Sequence, residues 1–376
     1  MKTINNANIN NKRVIVRLDL NVPIKDNRVQ DDTRIKKSLK TLNYIIEKAS
    51  QVIILSHLGR IKSEEDKKKN SLKIVCDYLS NLINKKISFY DYTNDEVLND
   101  NIIMFENTRY FDLDNNRESN NDLELAKYFA SFGDIFINDA FGTCHRNNAS
   151  NVGISNFIPS YNGFLVEEEV KNLDKLLNDP KRPYIVIMGG KKVSDKIKVI
   201  ENIINKCDKL IIGGAMAYTF LKAEGFQIGS SFYEEDYIDF AKEIMDKYNK
   251  KIILINDNYN QNKELININD MKNDDIGYDI GKETINLYKN ELENAKTVFF
   301  NGPMGLFEEG YEYGTKELCN ILNNIDAFIL VGGGDTVNAV NKYVPNNNFN
   351  ISTGGGASLE YLEGKKLPGV FYEKEI

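Results

Sequence analysis

Residues 13–23 read RVIVRLDLNVP, an apolar, β-branched run that breaks off into the charged and polar Asp19 and Asn21. The same kind of run returns as VIIL (52–55), IIMF (102–105) and DIFI (134–137), with amphipathic helical stretches between. That alternation is the signature of βα units and predicts a parallel sheet. The rhythm restarts after Pro183 with YIVIM (184–188), KLIIG (209–213), KIILI (251–255), TVFF (297–300) and AFILV (327–331). The fold expected is therefore α/β, two doubly wound, Rossmann-like parallel-sheet domains. Between them, Leu165, Val166, Val170, Leu173, Leu176 and Leu177 recur at helical spacing before Pro180 and Pro183, which predicts a connecting hinge helix within 163–183. The segment 256–275 is so polar that it reads as a surface excursion.

The 376-residue length, about two and a half times a ~150-residue domain, agrees with two cores. Lys and Arg number 48 against 55 Asp and Glu, a net charge of -7, which argues against nonspecific nucleic-acid or membrane-surface binding. Any anion site must be a local basic cluster. Cys76, Cys144, Cys207 and Cys319 lie far apart with no CxxC pair and read as buried free thiols. The start of the chain has no apolar signal region, and no apolar stretch approaches the roughly 18–20 residues of a membrane span, so a cytoplasmic location is expected.

In open parallel sheets, ligands sit outside the carboxyl ends of the strands. In the first half those ends deliver Arg17, then His57 and Arg60, then Arg109, then His145 and Arg146; Arg34 opens the helix after residues 31–33. Five guanidiniums on one face suit a small polyanion, because planar guanidiniums grip phosphate and carboxylate in pairs of bonds. His57, between a strand and Gly59-Arg60, is expected to touch the anion; for His145 the reading stays open, since Arg146 alone could carry that site.

In the second half glycines follow the strands instead: Gly189-Gly190, Gly213-Gly214, Gly302 and Gly305, and Gly332-Gly333-Gly334 before Asp335 and Thr336. Glycine lets the main chain approach a ligand, and the triple glycine should present free amides and a positive helix end to phosphate. Lys192 and Lys196 are expected to reach phosphates from the first turns of one helix, and Asp335 to hold Mg²⁺. Neither GxxxxGK[ST] nor GxGxxG occurs at these turns, which disfavours a P-loop ATPase or an ordinary dinucleotide enzyme. No carboxylate base stands out beside the cluster, which disfavours a sugar kinase.

The segments RLDLNVP, DDTR, SHLGR, ENTRY, NDAFGTCHR, GGKKVSDKI, NGPMGLFE, GGGDTVNAV and STGGGASLEYLEGKKLPGV, in this order, resemble the signature segments of the phosphoglycerate kinase family from about residue 13 to residue 370. The resemblance implies that residues 1–165 bind 3-phosphoglycerate or 1,3-bisphosphoglycerate through Asp19, Asn21, Arg34, His57, Arg60, Arg109 and Arg146. It implies that residues 166–354 bind ADP or ATP through Gly190, Lys196, Gly213, Gly214, Asn301, Glu308, Gly332, Gly333, Gly334, Asp335 and Thr336, with Glu308 on the ribose and Mg²⁺ on Asp335. Arg34, Lys192 and the amides of Gly333 and Gly334 would surround the moving phosphoryl group. The tail, about 355–376, would return to the first domain, and the enzyme would work as a monomer that closes about a hinge. Lys191 stands where the family usually has Ala and is expected to face solvent.

Overall fold

The computed structural model describes residues 1–92 and 99–373. The chain divides into two compact units: Met1–Lys171 with Lys366–Ile376, and Asn172–Lys365. The sequence had set the division at 165/166 and the tail's return at about 355. The helix Gly356–Leu362 packs on the helix Ile197–Ile203 of the second unit, so the chain re-enters the first unit only at Lys366. The last three residues of the expected tail lie outside the described ones.

The first unit holds β1 (Arg13–Arg17), a short hairpin of β2 (Ile24–Lys25) and β3 (Arg28–Val29), β4 (Gln51–Leu55), β5 (Ser88–Tyr90), β6 (Ile102–Phe105), β7 (Ile135–Asn138) and β8 (Ser160–Asn162). Six of these form one parallel sheet in the order β5-β6-β4-β1-β7-β8. Side chains alternate across a strand, and here both faces are apolar. Val14, Val16, Val52, Ile54, Met104 and Ile137 point into one cluster; Ile15, Ile53, Leu55, Phe105 and Phe136 point into the other. Burial on both sides is why each strand reads as a continuous apolar run.

The second unit carries β9 (Tyr184–Met188), β10 (Lys209–Ile212), β11 (Ile252–Ile253), β12 (Asp257–Asn260), β13 (Leu265–Asn267), β14 (Gly277–Ile280), β15 (Thr297–Asn301), β16 (Phe328–Gly332) and β17 (Asn350–Ile351). Its main sheet is parallel, in the order β11-β10-β9-β15-β16-β17. Strand order therefore reverses between β9 and β15, the place where doubly wound sheets open a ligand crevice. Asn301 pairs with both Met188 and Gly332, which levels the three strand ends that border it.

Much of the surface excursion expected over 256–275 is exposed, as read, but it is not irregular: β12, with β13 and β14, makes an antiparallel sheet. Asp257 and Asn260 of β12 are buried with polar partners. Asp257 accepts from Glu283 N (2.9 Å), Thr284 N (2.8 Å) and the Thr284 hydroxyl (2.7 Å), and Asn260 donates to Asp275 (3.0 Å). The connecting helix spans Phe164–Leu177, and all four cysteines are buried and free. No helix among the described residues is long and apolar enough to cross a membrane.

Candidate active site

In the first unit the ends of β1, β4 and β6 are tied together by side chains. Asn21, past β1, accepts the Gly59 amide (2.9 Å) past β4. Gly59 has φ +59, and a side chain there would meet Asn70 at 2.7 Å. Its carbonyl accepts from Arg109 Nη1 at 2.5 Å. Arg109 itself is placed by Asn107, which caps the turn Thr108–Leu113 by accepting the Arg109 amide (3.1 Å) and donates to the carbonyls of Leu58 (2.6 Å) and Asn70 (2.9 Å). Arg34, in the first turn of the helix Thr33–Lys48, donates from Nη1 to both oxygens of Asp19 (3.0 and 2.9 Å) and to the Asn21 carbonyl (3.3 Å). One nitrogen thus anchors the guanidinium, and its side chain stays about a third exposed, at 34%.

Arg60 and Arg146 are exposed, and Arg146 Nε donates to His145 Nε2 at 3.3 Å. Burial, then the fields of Arg146 and Arg17, bring the Arg109 guanidinium down to about 10. Burial acts most strongly on His57, followed by Arg17, Arg109, Arg146 and Arg34, and holds the imidazole well below its usual value. Cations crowd this face, and a bound anion would relieve their mutual repulsion. Arg17, one of the five guanidiniums read from the sequence, behaves differently. It does not open onto the face but is buried, donating to Ser150 Oγ (3.0 Å) and the Leu18 carbonyl (2.7 Å) and lying against His57. Its position at the end of a strand gave no sign of this, because its partners come from distant segments.

In the second unit a cavity of about 350 Å³ opens at the reversal of strand order. Its lining includes Gly190, Lys192, Lys196 and Asn301, together with Gly333, Gly334, Asp335 and Thr336. The helix Gly334–Tyr343 starts here behind Gly333, at φ +90, with no side chain capping it. Its first amides and positive end therefore face the cavity, a ready anion site. Asn301 donates to the Gly332 carbonyl (2.9 Å), and the Thr336 hydroxyl accepts the Gly302 amide (2.7 Å), which fixes the corner between β15 and β16. The glycines are required by contact. A side chain at Gly214 (φ +64) would lie 2.6 Å from Gly190 N, and one at Gly213 would lie 2.4 Å from Met304 Sδ.

Lys192 and Lys196 do not sit on a helix, which begins only at Ile197. Lys192 is exposed at the cavity, whereas Lys196 is buried and donates to the carbonyls of Gly189 and, at 3.2 Å, Asn301. Burial lowers its ammonium to about 8, against the opposing fields of Asp195 and Asp335. Lys191 is exposed with Nζ 4.8 Å from the centre of the Phe232 ring. Glu308 is exposed on the turn Phe307–Glu309, outside the cavity lining. No three His, Cys, Asp or Glu side chains gather as a metal cage among the described residues. Asp335 alone, exposed in the first turn of its helix, suits Mg²⁺ that arrives with phosphate oxygens and water as its other ligands.

A family model described as phosphoglycerate kinase matches residues 4–365. Phosphoglycerate kinases of Enterococcus faecalis and Fusobacterium nucleatum are 48% and 47% identical, over 98% of this chain and 98% of theirs. The solved structure of phosphoglycerate kinase from Coxiella burnetii superposes with a TM-score of 0.89 at 37% identity, over 98% of this chain and 97% of that one. The enzyme from Pyrococcus horikoshii gives 0.84 at 30% identity with the same coverage.

Proposed function

The chain belongs to the phosphoglycerate kinase family, and on that premise we propose how its residues divide the reaction. The activity is reversible phosphoryl transfer from 1,3-bisphosphoglycerate to ADP, giving 3-phosphoglycerate and ATP, a step of glycolysis. The first unit takes the acid through Asn21, Arg34, His57, Arg60, Arg109 and Arg146, with Asp19 aiming Arg34. The second takes the nucleotide at the cavity beside Gly190, Lys192, Lys196 and Gly332 to Thr336, with Gly213, Gly214 and Asn301 shaping its walls and Glu308 reaching the ribose. The observation that carries this reading is the cavity at the strand reversal, where an uncapped helix end and two lysines meet.

Little proton transfer is needed. The leaving carboxylate and the attacking diphosphate are both ionised near neutral pH, so rate comes from alignment and charge stabilisation. Arg34 keeps Nε and Nη2 for the phosphoryl group, since Nη1 makes its contacts to Asp19 and Asn21. Lys192 and the Gly333 and Gly334 amides supply positive charge from the nucleotide side. Mg²⁺, brought with the nucleotide and held by Asp335, would neutralise phosphate charge. We further propose that the units close during turnover to exclude water, which would otherwise take the phosphoryl group. We propose that the enzyme works as a monomer in the cytoplasm; no helix among the described residues is long and apolar enough to cross a membrane. A coupled assay of ATP formation from 1,3-bisphosphoglycerate and ADP tests the reading. Folded protein that binds ADP but forms no ATP would refute it.

A further inference from the structure

Behind the anion face of the first unit runs a chain of four buried polar side chains: His57, Arg17, Ser150 and Glu118, exposed by 4%, 2%, 0% and 1%. Arg17 Nη2 lies 3.2 Å from His57 Nδ1. Arginine has donors only, so Nδ1 must accept and cannot carry a proton. The one proton of the ring is then on Nε2, and the doubly protonated imidazolium is excluded by the same contact. Arg17 Nε donates to Ser150 Oγ at 3.0 Å, which leaves that hydroxyl to donate to Glu118 Oε1, while Ser150 N donates to Glu118 Oε2 at 3.0 Å. Each link fixes the direction of the next, from a buried carboxylate to the imidazole.

We propose that Arg17, Ser150 and Glu118 are positioning residues that lock His57 as the neutral Nε2–H tautomer, so that it meets the acid substrate only as a hydrogen-bond donor. The proposal rests on the assignment of His57 to the substrate site. The surroundings agree with it. Around the ring stand Arg17 from β1, Arg34 from the helix Thr33–Lys48, Arg109 from the turn Thr108–Leu113 and Arg146 beyond β7, with Glu118 and Asp19 acting on Arg17. A further cation among four guanidiniums would be repelled, whereas a neutral donor adds a bond to an anion without adding charge. The site would thus keep its affinity for the acid across the range in which a free histidine titrates.

The chain has only His57 and His145, so its imidazole nitrogens can be read directly by two-bond ¹H–¹⁵N correlation, assigned with His145→Gln. In the unmodified protein, between about pH 5.5 and 8.5, His57 should show a bare Nδ1, a protonated Nε2 and no titration. A proton on Nδ1, or a titration step in that window, would overturn the lock without recourse to any variant that might misfold. Arg17→Met should free the tautomer, raise the KM for 3-phosphoglycerate about tenfold and make it pH-dependent, with kcat less affected. Arg17→Lys retains a donor and should restore a single tautomer. Persistence of the Nε2–H form in Arg17→Met would take the role away from Arg17. Addition of 3-phosphoglycerate should shift the Nε2 resonance; a locked ring that ignores it would remove His57 from the substrate site while leaving the lock standing.

Discussion

The phosphate sites proposed for the two units are built in opposite ways. The first uses long side chains: Arg34 braced by Asp19, Arg109 by the Gly59 carbonyl, and His57 by buried Arg17. The second uses the main chain, with glycines at Gly190, Gly214, Gly302 and Gly333, all at positive φ, and an uncapped helix end. A side-chain site stores its specificity in charges that can be removed one at a time. A main-chain site stores it in the absence of side chains, so adding one atom disturbs the scaffold before it disturbs the ligand.

The largest effect that would sharpen this contrast comes from Gly302→Ala. At φ +97 the new methyl would lie 2.2 Å from the Gly189 carbonyl and 2.7 Å from Lys196 Nζ, both rigid neighbours of the cavity. We expect a loss of roughly 3–5 kcal/mol in urea unfolding. Gly334→Ala is the control, since its methyl would meet nothing within 4 Å. It should keep stability within roughly 1 kcal/mol, and any fall in turnover then reports the ligand's need for space.

A smaller effect concerns buried carboxyls, one in each unit. Asp139 accepts the Leu165 amide (2.8 Å) at the start of the connecting helix, and burial raises it to about 7 from an ordinary 3.8. The folded chain therefore retains a proton that the unfolded chain releases. Its contribution to stability is complete below about pH 4 and is lost as pH rises through 7, by up to about 4 kcal/mol. Asp139→Asn should abolish that slope in urea midpoints taken from pH 4 to 8; an unchanged slope would show that Asp139 is ionised in the fold. Asp279 of the second unit, also raised to about 7 by burial, should behave alike.

The smallest effect separates the ligands by pH. Lys196, lowered to about 8, loses its charge as pH rises through that value, so the KM for ADP should climb by about tenfold above it. Lys196→Met should remove the step. The KM for 3-phosphoglycerate should show no such step, because its cations are guanidiniums. A matching rise in both constants would erase the distinction between the units.

How much of this could be read from the sequence follows from how far each feature depends on distant partners. The apolar runs announced the strands because parallel strands are buried on both faces. Strand β12 gave no such signal: Asp257, Asn258 and Asn260 look like loop residues until Thr284 and Asp275 satisfy two of them. The same limit applies at the site. Residues directly after strands, such as Arg109 and Gly333, could be named from position alone. The buried role of Arg17 could not, since Ser150 stands 133 residues away and Glu118 sits in a polar run with no pattern. Lys196 was read from position as a phosphate ligand, and position gave no sign that its ammonium also bonds two carbonyls that join the ends of β9 and β15.

The division of labour is tested most directly by measuring turnover and both ligand affinities in Arg34→Ala and in Lys192→Ala. Turnover should fall by roughly 10²–10³ in each. The affinity for 3-phosphoglycerate should weaken only in the first variant and that for ADP only in the second, each by about tenfold or less. Unchanged turnover in both, or a variant of one unit that weakens the other unit's ligand equally, would contradict the account.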